Sequence, residues 1–239
     1  MNSKISRKTK LIDLGLIDYA KAWNNQTELF ESIVEVKKQN RNLPDQEQAH
    51  TSNYLIFCEH PHVFTLGKSG EEKNLLIEKD KLESIGATYH HTNRGGDITY
   101  HGPGQIVVYP IIDLENFFTD IHKYMRWLEE AVIQTLNEFG LESGRIKGLT
   151  GVWIDHDNEK TSRKIAALGV KTSRWVTLHG LAFNVNTNLD YFKYIVPCGL
   201  DDKAVTSMEK ELGHSQDLLK IKSTLLKKIC SIFEMEMIN

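Results

Sequence analysis

The run from Gln105 to Leu114 restricts the fold more than any other stretch of this chain. Ile106, Val107, Val108, Tyr109, Ile111 and Ile112 follow one another with almost no polar break. A strand with one wet face alternates apolar and polar residues. A continuous apolar run predicts a strand covered on both faces, and so a sheet with a layer on each side. Pro110 lies inside the run and has no N–H for a ladder, which predicts an edge position or a local bulge. At 239 residues, 40% hydrophobic and 26% charged, the chain has enough apolar surface for a substantial core. That length fits one large domain or two small ones, and we take residues 1–239 as a single domain with a flexible, basic N-terminus over residues 1–10.

The remaining pattern mixes helices and strands. A helix is expected from about Asp18 to Lys38, capped by Asp18, with Tyr19, Ala22, Trp23, Phe30, Ile33 and Val34 as its apolar stripe. A polar loop follows from Gln39 to Asn53, then a buried strand over Tyr54–Phe57. A second helix is expected from about Asp120 to Phe139, stopped by Gly140. Strands over Gly151–Asp155, Lys164–Val170 and Val176–Val185 read as an antiparallel meander, with turns at His156–Lys160 and Lys171–Ser173. A last helix spans about Ser215 to Phe233. Without a βαβ rhythm the class is α+β, a mixed or antiparallel sheet flanked by helices.

Net charge and cysteine usage narrow the function. The formal net charge is −3 and the pI near 6.4, so no global positive field exists to hold nucleic acid. No apolar run is long enough to cross a bilayer, and no signal core follows the basic N-terminus. Cys58, Cys198 and Cys230 are an odd number at scattered spacings, with no CxxC pair. That is neither a disulfide framework nor a metal site, and it fits the reducing cytoplasm.

Three stretches carry chemistry. Arg94-Gly95-Gly96-Asp97-Ile98-Thr99-Tyr100-His101-Gly102-Pro103-Gly104-Gln105 combines backbone freedom with side-chain donors and reads as a ligand loop; the alternative is a hairpin loop with a satisfied histidine. It is not a P-loop, since no GK[ST] follows. Pro197-Cys198-Gly199 pins a thiol between a rigid and a bare residue, whereas Cys58 and Cys230 sit in apolar runs and read as core. Lys164 opens the apolar strand Ile165–Val170, where a lysine is ordinarily a solvated strand end.

Taken together, these stretches resemble the lipoyl(octanoyl) transferase family, the octanoyltransferases of lipoate biosynthesis. The matching segments are Glu59-His60-Pro61 with Phe64–Gly67, Arg94–Gln105, Lys164-Ile165-Ala166 with Leu168-Gly169, and His179–Ala182 with Asn184-Val185. Ile195–Gly199 and Val205-Thr206-Ser207 complete the set. They run in the family's order from about Tyr54 to Gly213. The resemblance implies a catalytic core shared with lipoate–protein and biotin–protein ligases, and a Cys/Lys dyad of Cys198 and Lys164. It assigns acyl binding to Arg94, Gly95, Gly96, Asp97, Ile98, Thr99, Tyr100 and His101, to Ala167, Leu168 and Gly169, and to Gly180, Leu181 and Ala182.

The implied reaction moves an octanoyl group from octanoyl-acyl carrier protein to a lysine of a lipoyl domain, through a thioester on Cys198. The implied acceptors are the lipoyl domains of 2-oxoacid dehydrogenase complexes and the glycine cleavage H protein. No metal or organic cofactor, nucleic acid or membrane is implied. Backbone N–H groups near Leu168-Gly169 or at Cys198, with His101, are the oxyanion donors to look for. Arg145, Lys147, Arg163, Lys171 and Arg174 form a possible docking patch for acidic partners. An ATP-dependent lipoate–protein ligase and a non-catalytic lipoyl-domain or acyl-carrier binding protein are the alternative readings.

Overall fold

The computed structural model describes residues 5–196 and 204–238. The strands are β1 (Lys8–Leu16), β2 (Asn53–Glu59), β3 (Val63–Leu66), β4 (Thr88–His91), β5 (Ile98–His101), β6 (Gln105–Ile111), β7 (Val152–Ile154), β8 (Arg163–Ser173), β9 (Val176–Asn184), β10 (Ala204–Val205) and β11 (Glu236–Ile238). The α-helices are α1 (Tyr19–Asn40), α2 (Ile121–Glu138), α3 (Met208–Leu212) and α4 (Leu218–Phe233).

The apolar run becomes β6, buried at every residue, in the middle of a mixed sheet ordered β10-β8-β9-β6-β2-β1-β11. Strand alternation divides its side chains between two cores. Ile106 and Val108 join Phe57, Phe183 and the apolar faces of α2 and α4, including Leu128, Val132, Leu225 and Phe233. Val107, Tyr109 and Ile111 point the other way, against Ala22, Ile33 and Val34 of α1. Asp18 caps α1 by accepting from the Lys21 N–H at 3.1 Å, and Asp120 caps α2 in the same way.

Pro110 is accommodated in an interior strand, by a local break and not by an edge. It pairs with Leu55 of β2, while the β6–β9 ladder runs only from Gln105↔Asn184 to Val108↔Leu181. Beyond that point His179 turns to a φ of +63°. The Thr177 hydroxyl donates to the Pro110 carbonyl at 2.7 Å and accepts from the Ile112 N–H at 3.1 Å. A side chain thus supplies the hydrogen bonding that the proline removes from the ladder.

Several elements differ from the sequence expectation. Residues 8–10 belong to β1, with Lys8↔Glu236 on one side and Thr9↔Asn53 on the other, and Thr9 is fully buried. Burial of one edge residue between two ladders orders a segment whose composition reads as a tail. β1, α1 and β2 form a parallel crossover unit that the pattern did not reveal. A second sheet, β4-β3-β5, takes up part of the glycine-rich stretch. The β7–β8–β9 meander forms as expected, but Lys171–Ser173 stay in the ladder through Ser173↔Val176.

The β8–β9 turn is therefore Arg174-Trp175, both exposed, with φ of +50° and +64°. Two-residue hairpin loops of this hand favour Asn-Gly, because side chains with a Cβ are strained there. Exchanging Arg174-Trp175 for Asn-Gly should raise stability by about 1 kcal/mol. An unchanged or lower unfolding midpoint would show that these side chains make stabilising contacts.

Candidate active site

A cavity of about 460 Å³ opens between the glycine-rich stretch, β8 and β9. β8 and β9 pair in the register Ala167↔Ala182, Leu168↔Leu181 and Gly169↔Gly180, so the two expected tripeptides lie side by side in one wall. The opposing wall is Arg94–Thr99 and His101. The Gly95 N–H donates to the Val170 carbonyl at 2.9 Å and fastens the loop to the outer edge of β8. Backbone groups alternate sides along a strand, so Leu168 presents its N–H to the same side as Val170.

Tyr100 is the exception among the expected residues. β5 turns its ring away from the cavity into a cluster with Phe64, Tyr191 and Phe192. Its hydroxyl meets His62 Nδ1 at 2.7 Å. Asp97 is also engaged, accepting from Asn74 Nδ2 and its neighbour's Ile98 N–H, each at 2.6 Å.

Lys164 lines the cavity from the start of β8. Its Nζ lies 4.7 Å from the centroid of Trp153, its ladder partner in β7. A cation over an indole face is attracted by the ring quadrupole. Gly151 leaves the room: a Cβ there would stand 3.2 Å from Lys164 Cε and 2.7 Å from the Ala166 carbonyl. The Gly151 N–H donates to Glu129 of α2 at 2.9 Å. Glu129 is fully buried, and Arg126 and Arg145 flank it at 2.7 and 3.0 Å. The chain enters the stretch 197–203 at Val196, which donates to the Asn74 carbonyl at 2.9 Å, and returns as β10 with Val205 paired to Lys164. Cys198, with Pro197 and Gly199, lies outside the described residues.

The expected docking patch is altered. Arg145 is spent on Glu129 and Glu130, and Arg163 on Asp155 and Glu211, so neither is a spare surface charge. Lys147 and Arg174 are exposed, and Lys171 sits over Phe30. Cys58 is buried, and burial pushes its thiol well above the ordinary range; Cys230 is half-buried in α4, with its thiol also raised by burial. Among the described residues no group of three or more His, Cys, Asp or Glu side chains could hold a metal ion, and no helix is long and apolar enough to cross a membrane.

Burial disfavours the charged form of two histidines in the cavity wall, His101 and His179, and of His60 beside them. His101 is pushed down to about 3 by desolvation, with the charges of His60 and Arg94 adding to it. His179 falls to about 3 through desolvation and the Arg94 charge, and burial lowers His60 as well. Unfolded, each takes a proton near 6.5. Between that value and about 3 the unfolded chain binds more protons than the folded one, so acidification favours unfolding. The urea midpoint is expected to fall steadily from about pH 7 to pH 5. A flat profile across that window would mean that these rings are protonated in the folded chain.

The sequence reading missed several wall residues. Tyr19, His179, Phe192 and the α2 side chains Ile121 and Met125 all line the cavity. Tyr19 and the α2 residues read as helix-face apolar positions, and no local signal separates a cavity wall from a core. His179 stood inside a matched motif but carried no assigned role.

The family model described as lipoyl protein ligase A/B catalytic domain matches residues 18–230. The chain belongs to this family. An octanoyltransferase of Cytophaga hutchinsonii is 56% identical over 239 residues, which is 100% of this chain and 98% of that one. The solved structure of lipoate-protein ligase A bound with ATP superposes with a TM-score of 0.65 at 16% identity, covering 98% of this chain and 90% of the other. A biotin protein ligase from Aquifex aeolicus in complex with biotin and ATP gives a TM-score of 0.52 at 13% identity, over 94% and 70%. The mixed sheet with flanking helices is thus the lipoyl protein ligase fold, shared in outline with biotin protein ligase.

Proposed function

We propose that this member of the lipoyl protein ligase A/B family transfers an octanoyl group from acyl carrier protein to a lysine of a lipoyl domain, through a thioester on Cys198. The observation that carries the reading is the cavity between small-residue β-strands and the glycine-rich loop, with the Lys164 ammonium in its wall. The octanoyltransferase name of a relative matched over the whole chain supports the same activity.

In the first half-reaction the Cys198 thiolate attacks the donor thioester, and the carrier leaves as a thiolate that takes a proton from Lys164 or solvent. One thioester replaces another, so the step is close to isoenergetic. A free thiol near pKa 8.5 is only about 3% thiolate at pH 7, and a neighbouring ammonium raises that fraction. In the second half-reaction the acceptor amine attacks the Cys198 thioester. An amide forms, the Cys198 thiolate leaves, and the amine proton passes to solvent or to Lys164 once that side chain is neutral. An oxyanion develops in each half. The Leu168 N–H, directed to the glycine-rich side of β8, is the proposed backbone donor. No ATP is consumed, because the donor thioester already carries the activation.

The proposed acceptors are the lipoyl domains of 2-oxoacid dehydrogenase complexes and the glycine cleavage H protein, in the cytoplasm. Intact-protein mass spectrometry after mixing with octanoyl-acyl carrier protein, without ATP, tests the reading. One octanoyl adduct is expected, labile to hydroxylamine, discharged by a lipoyl domain and absent from Cys198→Ser. An unmodified chain that acylates a lipoyl domain only with ATP and free acid would replace this reading with a ligase.

A further inference from the structure

We propose that Gln105 is a positioning residue of the octanoyl transfer reading above, holding His101 as the Nδ1–H tautomer within a buried chain of hydrogen bonds from Arg94 to the strand beside Lys164. Two backbone carbonyls and one guanidinium fix every proton in that chain.

The Tyr100 carbonyl only accepts, so the Gln105 amide atom 3.2 Å from it is the nitrogen. The Thr206 carbonyl also only accepts, so the Asn184 atom 3.0 Å away is Nδ2, and Asn184 Oδ1 faces Gln105. Gln105 Nε2 donates to that Oδ1 at 2.9 Å. Both amides are thereby oriented, and Gln105 Oε1 is left facing His101 Nδ1 at 2.7 Å. The contact is a hydrogen bond only if Nδ1 carries the proton. His101 Nε2 is then a bare lone pair.

The other end of the chain closes in the same sense. Arg94 Nη2 and Nε donate to Thr65 Oγ1 at 3.0 and 3.3 Å, and an arginine never accepts. The Thr65 hydroxyl proton is therefore directed at His101 Nε2, 3.4 Å away. Arg94 gives further bonds to the carbonyls of Thr65 and Gly95. At the far end the Thr206 N–H donates to the Lys164 carbonyl at 2.9 Å. The chain thus spans the cavity from the glycine-rich loop to the Lys164 strand. Its members are buried, so a lost partner would leave a polar group without water.

One consequence separates His101 from its sequence-level expectation. A ring with Nδ1–H committed to Gln105 and Nε2 accepting has no proton to offer an oxyanion. Arg94 is likewise an internal clip between β3 and the glycine-rich loop.

Long-range proton–nitrogen NMR on the full-length nitrogen-15 chain reads the tautomer directly and needs no turnover. His101 should show a protonated Nδ1 and a bare Nε2 throughout about pH 5 to pH 8. Gln105→Glu keeps the shape, removes both donors and sets a carboxylate against the ring. The ring should then become an imidazolium, with kcat for octanoyl transfer falling roughly 10- to 100-fold and KM for the donor nearly unmoved. Thr65→Ser should recover most of the activity that Thr65→Val loses. A wild-type ring protonated at Nε2, or a Gln105→Glu enzyme with unchanged kcat, would overturn the inference. A wild-type chain with the stated tautomer and no octanoyl transfer would instead overturn the transfer reading.

Discussion

Replacing Lys164 by alanine is expected to slow octanoyl transfer by roughly 10²- to 10⁴-fold, the range for removing a positioned proton-transfer group. The fold should survive. Lys164 is at the start of β8, and what alanine removes is a stem over Trp153 beside Gly151. Lys164→Arg separates the two parts of the proposed role. A guanidinium can stack on Trp153 and keep the positive charge beside a thiolate, but it cannot deprotonate. If Lys164 acts by charge alone, Lys164→Arg should form the acyl-enzyme at near the parent rate. If it also relays the acceptor's proton, acylation should persist while transfer to the lipoyl domain remains slow. Single-turnover measurement of each half-reaction resolves these outcomes. Full activity in Lys164→Ala would remove this residue from the mechanism.

Some of this structure was legible in the sequence because it rests on local pattern. The continuous apolar run at residues 106–112 did mark a strand covered on both faces, and the helical stripes at Tyr19–Asn40, Ile121–Glu138 and Leu218–Phe233 did mark the flanking layers. The small sheet was not legible, because β3 and β5 are short and β5 lies inside a stretch whose glycines read as loop. Lys8–Lys10 was misread for a different reason. Its order comes from β2 and β11, far away in sequence, and not from its own residues.

The site divides along the same line. Ordered motifs brought Arg94–Thr99, His101, Lys164, Ala167–Gly169 and Gly180–Ala182 to one cavity. Motif membership could not say which way a side chain points. Tyr100 shares a stretch with Thr99 and His101, yet strand alternation sends it to the opposite face. Nor could it show that Gln105 and Thr65 engage His101 and Arg94, the very residues that looked like substrate donors.

Gly180→Ala is expected to be the most destabilising single methyl that this site can receive. The family resemblance assigned Gly180 to acyl binding. The geometry points its missing Cβ elsewhere, 2.0 Å from the Val108 carbonyl oxygen and 2.8 Å from Pro110 Cδ. Both obstacles belong to β6, which is held by β2 on its other side and cannot withdraw without breaking that ladder. The glycine lets β9 pass close to β6 where Pro110 interrupts the pairing. An alanine should therefore cost about 3 kcal/mol, the upper end of ordinary overpacking. Gly140→Ala is the control: it has a φ of +77° and nothing within 4 Å of its Cβ position. That change meets backbone strain alone and should cost about 1 kcal/mol. Urea unfolding of the pair measures the difference. Equal losses would mean that β6 and β9 can separate freely at Pro110, and the close approach would no longer explain the glycine.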